Sequence, residues 1–114
     1  MRKRGEIWLA NLSPGRGTEA GKIRPVLILQ NQALLDAEHP STLIIPLTTN
    51  LTNDAEPLRL RVPAQGSLDK DSDLLVDQLR AIDNNRLVDG PLMCLDDQAL
   101  ERVYQALVEV VGRE

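Results

Sequence analysis

The apolar residues of this chain occur in short runs that end at proline, glycine or polar residues, and this spacing strongly constrains its fold. No run approaches the roughly 20 residues needed to cross a bilayer, so we expect no membrane-spanning segment. Runs this short, bounded by turn-forming residues, are typical of β-strands. We predict strands at 5–12, 26–30, 42–48, 57–62 and 74–79. A mostly β chain is therefore expected.

Two prolines and two arginines add detail to these predicted strands. Pro25 precedes the second run and favours an extended backbone at Arg24. Pro46 interrupts the third run, which suggests an edge strand or a bulge. The fourth run alternates apolar and basic residues, and this period-two pattern predicts that Arg59 and Arg61 share a solvent-facing side.

The C-terminal segment carries the clearest helical pattern. Asp96 can cap the helix, Leu95 can pack on Leu100, and Gly112 can end it. Its apolar residues recur at helical spacing and form one stripe, comprising Leu100, Val103, Tyr104, Leu107, Val110 and Val111. A shorter helical turn is predicted at 83–87.

The 114 residues are sufficient for one domain with a modest core, and we expect residues 1–114 to form a single unit. About five strands and one helix predict a compact, barrel-like, mainly β (α+β) domain. Cys94 is the single cysteine, which excludes an internal disulfide and a cysteine metal cluster. The basic start is followed by Gly5 and Glu6 and lacks a signal-peptide cleavage pattern, so we expect a cytoplasmic location.

Charge is unevenly distributed along the chain. The net charge is −4, yet residues 1–24 hold six basic and two acidic side chains, which leaves that segment at +4. An anionic partner would be drawn there if the fold gathered these charges together. Trp8 and Tyr104 are the only aromatic residues, so recognition by base stacking is poorly supported.

Several common catalytic arrangements are missing from the sequence. His39 is the single histidine, so a two-histidine acid–base pair is excluded, and no phosphate-binding glycine loop or metal-ligand spacing occurs. The alternating Asp69, Asp71 and Asp73 lack the rest of a calcium-loop pattern, and we interpret this segment as a solvated loop.

Polar residues at the ends of apolar runs remain as candidates for a site. They are Glu19, Arg24, Thr48, Thr49, Asp77 and Gln78. Taken singly, each is also compatible with an ordinary surface or turn residue. Spacing along the sequence does not show that these side chains converge.

Three ordered blocks of sequence point to a known family. The first block is Arg4-Gly5-Glu6-Ile7-Trp8, Leu12-Ser13-Pro14, Gly17-Thr18-Glu19 and Arg24-Pro25-Val26-Leu27-Ile28-Leu29. The second is Pro46-Leu47-Thr48-Thr49, and the third joins Lys70-Asp71-Ser72 to Asp77-Gln78-Leu79-Arg80-Ala81-Ile82-Asp83 and Arg86-Leu87. Together they resemble the MazF/PemK family of toxins over nearly the whole chain.

The resemblance implies an SH3-like β-barrel of the MazF/PemK/CcdB type with a C-terminal α-helix, assembled as a homodimer. It implies metal-independent, sequence-specific cleavage of single-stranded RNA that leaves 2′,3′-cyclic phosphate and 5′-hydroxyl ends. The partners implied are that RNA and a cognate antitoxin whose disordered acidic tail covers the RNA groove. No metal and no cofactor is expected.

The resemblance also assigns residues. It makes Arg24, from the Arg-Pro-Val motif, and Thr48 the catalytic pair, and Glu19 is our candidate for handling the 2′-hydroxyl proton. RNA contacts are expected at Gly17, Lys22, Thr49, Asp77 and Gln78. One position departs from the PemK-like branch: an arginine expected two residues before Asp77 is replaced by Leu75. The version with Arg24 and Thr48 is therefore preferred.

Two alternatives use a similar fold without RNA cleavage. A CcdB-like toxin inhibits DNA gyrase, and it would have no need for Arg24 and Thr48. A non-catalytic SH3-like module would need an aromatic peptide groove, which two aromatic residues cannot form.

Overall fold

The computed structural model describes residues 2–14, 17–18 and 22–113. Within these residues the chain forms one seven-stranded antiparallel sheet, two α-helices and two short 3₁₀ turns. The strands are β1 (Glu6–Asn11), β2 (Ile23–Ile28), β3 (Ser41–Thr48), β4 (Arg59–Val62), β5 (Ser72–Leu75), β6 (Arg80–Asp83) and β7 (Leu87–Cys94). The helices are α1 (Gln32–Asp36) and α2 (Asp97–Val110), and the 3₁₀ turns are Val76–Gln78 and Asn84–Arg86. The predicted mainly β fold with a C-terminal helix is confirmed.

Strand β3 is the centre of the sheet, whose order is β4-β5-β3-β2-β1-β7, with β6 also paired to β3. One side of β3 pairs with β2, while the other pairs with β6 at 41–44 and with β5 at Leu47 and Thr48. Pro46 lies between these last two pairings, where a residue that has no N–H group is tolerated. Of the two arrangements that Pro46 suggested, the edge strand is therefore wrong, and the β2–β3 register is regular from Pro46 to Ile44.

The sheet buries apolar side chains on both faces. Neighbouring residues of one strand point to opposite faces, so Val26 and Leu27 enter different clusters. The cluster beneath α2 includes Ile7, Leu27, Ile45, Leu47, Leu60, Leu74, Leu100, Val103 and Ala106. The opposite cluster includes Ala10, Leu12, Val26, Ile28, Ile44, Leu75 and Ile82. We refer to the second surface as the inner face.

The two ends of the strand order, β4 and β7, approach each other across a narrow seam. The Ser67 N–H, in the connection between β4 and β5, donates to the Leu92 carbonyl of β7 at 2.8 Å. Gly66 permits this approach because its φ is +60° and a Cβ there would lie 2.7 Å from the Leu92 oxygen. This contact makes the open sheet barrel-like.

Helix α2 begins and ends as its sequence predicts. The Asp96 side chain accepts a hydrogen bond from the Ala99 N–H at 2.8 Å. At the other end Gly112 adopts a φ of +75°, and its N–H donates to the Glu109 carbonyl. No helix in the described part of the chain is long and apolar enough to cross a membrane.

Other elements differ from the sequence prediction. The predicted strand 74–79 stops at Leu75, so that Asp77 and Gln78 lie in a 3₁₀ turn instead. Helix α1 and strands β6 and β7 were not predicted. The predicted turn at 83–87 is present as the second 3₁₀ turn, capped by the Asp83 side chain.

Candidate active site

The start of β2 and the end of β3 border a cleft of about 300 Å³. It is lined by Lys22, Ile23, Arg24, Pro25, Leu47, Thr48, Thr49 and Ser72. Of the residues predicted to form a site, Lys22, Arg24, Thr48 and Thr49 are brought together here. Residues far apart in the sequence therefore share one surface.

Antiparallel pairing explains why Arg24 and Thr48 meet. Val26 of β2 is paired with Pro46 of β3, so the same register carried two residues further brings Arg24 opposite Thr48. The Nη1 atom of Arg24 donates to the Leu47 carbonyl at 3.3 Å. The guanidinium is thus held against the backbone immediately before Thr48.

The hydroxyl of Thr48 has a defined hydrogen-bond role. Its Oγ1 atom accepts from the backbone N–H of Asn50 at 3.1 Å, an arrangement typical of threonine at a turn. Because the oxygen accepts this bond, the hydroxyl hydrogen can be donated elsewhere. A ligand oxygen in the cleft is a suitable acceptor.

A row of polar residues crosses one end of the inner face. Thr48 is paired with Asp73 of β5, and Asp73 is paired with Arg61 of β4. Directly paired residues place their side chains on the same face of a sheet. The row therefore runs from Arg24 through Thr48 and Asp73 to Arg61, and the apolar cluster of the inner face lies beside it.

Asp73 is the most enclosed member of this row, with 1% of its surface exposed. Its carboxylate accepts from Arg61 Nε at 2.6 Å and from the Thr52 N–H at 2.8 Å, and Arg59 Nη1 lies 3.6 Å away. Burial acts to raise the pKa of Asp73, but the hydrogen bonds from Arg61 and Thr52, with the charges of both arginines, outweigh it and lower the pKa.

Asp73 and its partners were not recognised as site residues from the sequence. The interpretation of Asp73 as part of a solvated loop is wrong, because its carboxylate lies in the buried strand β5. The alternation at 57–62 did predict a shared face for Arg59 and Arg61, and this is confirmed by their common partner. The pattern gave no signal for the partner itself.

The remaining predicted residues lie beside the cleft or outside the described residues. Gln78 donates from Nε2 to the Thr18 carbonyl at 3.0 Å, which connects its 3₁₀ turn to the loop before β2. Asp77 and Gly17 are exposed, and neither lines the cleft. Glu19 falls outside the described residues. Within the part of the chain that is described, no three His, Cys, Asp or Glu side chains gather to hold a metal ion.

The basic N-terminal segment is divided by the fold. The Gly5 N–H donates to the carbonyl of Ile28, so residues 2–4 lie at the far end of β2 from Arg24. Lys22 and Arg24 are the described basic residues of this segment that line the cleft. The positive charge that the sequence groups together therefore reaches the cleft only in part.

Comparison with known proteins identifies the family. Residues 3–111 match the model of the PemK-like, MazF-like toxins of type II toxin–antitoxin systems. The Endoribonuclease MazF of Staphylococcus saprophyticus is 38% identical over 109 residues, which cover 94% of this chain and 88% of the relative. The Endoribonuclease EndoA of Bacillus subtilis is 34% identical over 106 residues, covering 92% and 90% respectively.

Solved structures agree on the fold. MazF of Deinococcus radiodurans superposes with a TM-score of 0.79 at 22% identity, covering 97% of this chain and 96% of that structure. A mycobacterial endoribonuclease solved in complex with its cognate antitoxin gives a TM-score of 0.76 at 18% identity, covering 100% of this chain and 98% of the other. The extent of the family match and the close relatives lead to one conclusion: this chain belongs to the PemK-like, MazF-like toxins of type II toxin–antitoxin systems.

Proposed function

We propose that this chain is a sequence-specific endoribonuclease that cleaves single-stranded RNA in the Arg24–Thr48 cleft without a metal ion. The single observation that carries this proposal is the convergence of Arg24 and Thr48 on one cleft. Both relatives are named as endoribonucleases, which supports RNA cleavage as the reaction.

The reaction is an internal transfer at phosphorus. The ribose 2′-hydroxyl attacks the adjacent phosphorus, the bond to the 5′-oxygen breaks, and the products end in a 2′,3′-cyclic phosphate and a 5′-hydroxyl. Negative charge builds up on the two non-bridging oxygens as the new bond forms. A preorganised donor aimed at such charge typically contributes roughly 10²–10³ in rate.

Arg24 supplies the principal stabilisation of that charge. A guanidinium presents parallel N–H donors that match two phosphate oxygens at once. In this protein the bond from Nη1 to the Leu47 carbonyl limits rotation of the group before substrate arrives. The Thr48 hydroxyl, oriented by the Asn50 N–H, donates a further hydrogen bond to the same phosphate.

Proton transfer needs a group other than Arg24. A guanidinium has a pKa above about 12 and stays protonated, so it is a poor base for the 2′-hydroxyl. We assign this role to Glu19, which in the sequence precedes the cleft residue Lys22 by three positions. The departing 5′-oxygen then takes its proton from solvent.

RNA contacts extend from the cleft in two directions. Lys22 and Thr49 line the cleft, and we assign them to the phosphate or sugar beside the cut. Asp77 and Gln78 lie on the 3₁₀ turn that contacts Thr18, and we assign them, with Gly17, to base recognition. Leu75 offers no cation next to Asp77, so an Arg-Asp catalytic pair is not part of this proposal.

The same charges suit the expected partners. An acidic antitoxin tail would compete with RNA for Lys22 and Arg24, and folding on binding allows such a tail to cover a long surface. We further propose a homodimer, as the family resemblance implies, that acts on messenger RNA in the cytoplasm.

The test is to incubate the purified protein with a long single-stranded RNA and to map both the cut sites and the end groups. Cuts at one short motif, with cyclic phosphate and 5′-hydroxyl ends, are expected. A parallel DNA gyrase supercoiling assay covers the CcdB-like alternative. Intact RNA together with inhibited gyrase would overturn the proposal.

A further inference from the structure

The segment that follows Thr48, residues 49–53, is held in place by side chains of β4 and β5. The Asp73 carboxylate accepts from the backbone N–H of Thr52 at 2.8 Å. Arg61 bonds the same carboxylate through Nε and reaches the Asn53 side chain through Nη2 at 2.8 Å. The far end of the segment is thus fixed to a buried carboxylate.

The near end of the segment is fixed through Arg59. Its Nη1 atom donates to the Asn50 carbonyl at 2.8 Å and lies 3.6 Å from the Asp73 carboxylate. The N–H of Asn50 in turn donates to Thr48 Oγ1. An unbroken series of polar contacts therefore leads from Asp73 through Arg59 and Asn50 to the Thr48 hydroxyl.

The consequence concerns the direction in which the hydroxyl points. The bond from the Asn50 N–H occupies one lone pair of the Thr48 oxygen and so restricts the directions in which the hydroxyl hydrogen can be donated. Misplacing a reacting or stabilising group by about 1 Å can cost roughly 10²-fold in rate. The hydrogen bonds that hold Asn50 therefore affect the rate at which RNA is cleaved.

We propose that Asp73 and Arg59 are positioning residues that orient the Thr48 hydroxyl through the backbone of Asn50. The proposal rests on the proposed function, in which Thr48 donates to the phosphate. Neither Asp73 nor Arg59 lines the Arg24–Thr48 cleft, so neither is assigned a contact with the reacting atoms.

The first test compares three variants in a cleavage assay on a short RNA that contains the mapped site. Asp73→Asn and Arg59→Met are each expected to lower kcat by about tenfold with KM changed little, since the geometry rather than the binding surface is altered. Glu56→Gln is the matched control: it removes a carboxylate from the same β3–β4 connection, but its partner is Arg102 on α2. Its kcat should equal that of the wild type.

A loss of kcat in Asp73→Asn could also come from lower stability, because the substitution neutralises a buried partner of two arginines. A separate check is therefore needed. Arg59→Met avoids this problem, since Asp73 keeps its bonds to Arg61 and Thr52. Arg59→Lys should restore most of kcat because an ammonium group can still donate to the Asn50 carbonyl. Circular dichroism at the assay temperature must show each variant folded.

The decisive measurement is a double-mutant cycle with Thr48→Val, followed under single-turnover conditions. If Arg59 acts through the Thr48 hydroxyl, Arg59→Met causes no further loss once that hydroxyl is gone. An equal loss in both backgrounds would overturn the inference, as would a wild-type kcat for Arg59→Met. A wild-type kcat for Thr48→Val alone would instead reject the catalytic role proposed for Thr48.

Discussion

The guanidinium of Arg24 is hydrogen-bonded to the carbonyl oxygen of Leu47, at a distance of 3.3 Å. The bond connects the first residues of β2 to the last residues of β3 and holds a cation against the backbone that precedes Thr48. The guanidinium and the hydroxyl that we propose to bind one phosphate are therefore positioned by the pairing of β2 with β3.

Replacement of Arg24 is expected to abolish cleavage while the fold is kept. Arg24→Ala removes the donors for both phosphate oxygens, and we expect kcat to fall by roughly 10²–10³ or more. Arg24→Lys should restore little, because an ammonium cannot reproduce the planar fork. Cleavage of a fluorogenic RNA and circular dichroism measure the two properties. The control is Arg102→Ala on α2, whose arginine pairs with exposed Glu56 and should be dispensable. Full activity in Arg24→Ala would reject the assignment.

Chelation of metal ions is expected to leave the wild-type activity intact. The proposed chemistry relies on a guanidinium and a hydroxyl for charge stabilisation, so excess EDTA should not change the initial rate. The same assay with a 2′-deoxy nucleotide at the cut site should show no product, because the attacking hydroxyl is missing. Loss of activity in EDTA that added Mg²⁺ restores would contradict the metal-free reaction.

Asp73 is expected to make stability depend on pH in the acid range. In the folded protein the pKa of Asp73 is lowered from its ordinary value of 3.8, so the ionised form of its side chain stabilises the fold. This contribution is fully present above the unfolded pKa and is lost as pH falls through the lower folded value. Urea unfolding at several pH values should show wild type losing its advantage over Asp73→Asn below pH 3.8. A difference that is constant with pH would contradict the assigned ion pairs.

The seam between β4 and β7 can be tested with two glycines that share a backbone conformation. Gly66 and Gly112 have φ values of +60° and +75°, and alanine at either position should cost about 1–2 kcal/mol from this strain. Only at Gly66 would the new Cβ also meet the Leu92 oxygen, and we expect roughly 1–3 kcal/mol more. Urea unfolding of each alanine variant measures its loss of unfolding free energy relative to the wild type. Equal losses would mean that the seam is looser than described.

The strands and the C-terminal helix were largely predictable because their patterns are local. The alternation of β4 and the caps of α2 depend only on near neighbours in the sequence. Strand β7 was not predicted, and it contains Gly90-Pro91, a pair of residues more typical of turns than of strands. In the structure Gly90 lies inside the strand, where the Trp8 ring leaves no space for a Cβ. The reason is a contact between strands, which the sequence does not display.

The site was predictable only where the family resemblance supplied residues. Arg24 and Thr48 were assigned in this way, and β2–β3 register then explains why they meet. Asp73 was misinterpreted since its partners Thr52 and Arg61 lie 21 and 12 positions away. An acidic residue among other acidic residues looks solvated until strand pairing buries it. Glu19 stays a prediction.

One further consequence follows from the inner face. Its apolar cluster and its polar row are formed by neighbouring residues of the same strands that point to the same side of the sheet. Val26 belongs to the core, and Arg24, two residues earlier on the same strand, lines the cleft. Separation of the paired strands β2 and β3 would therefore displace the cleft residues together with the core. Heat, denaturant or a protease acting on the unfolded chain should therefore inactivate the toxin in a single, all-or-none event.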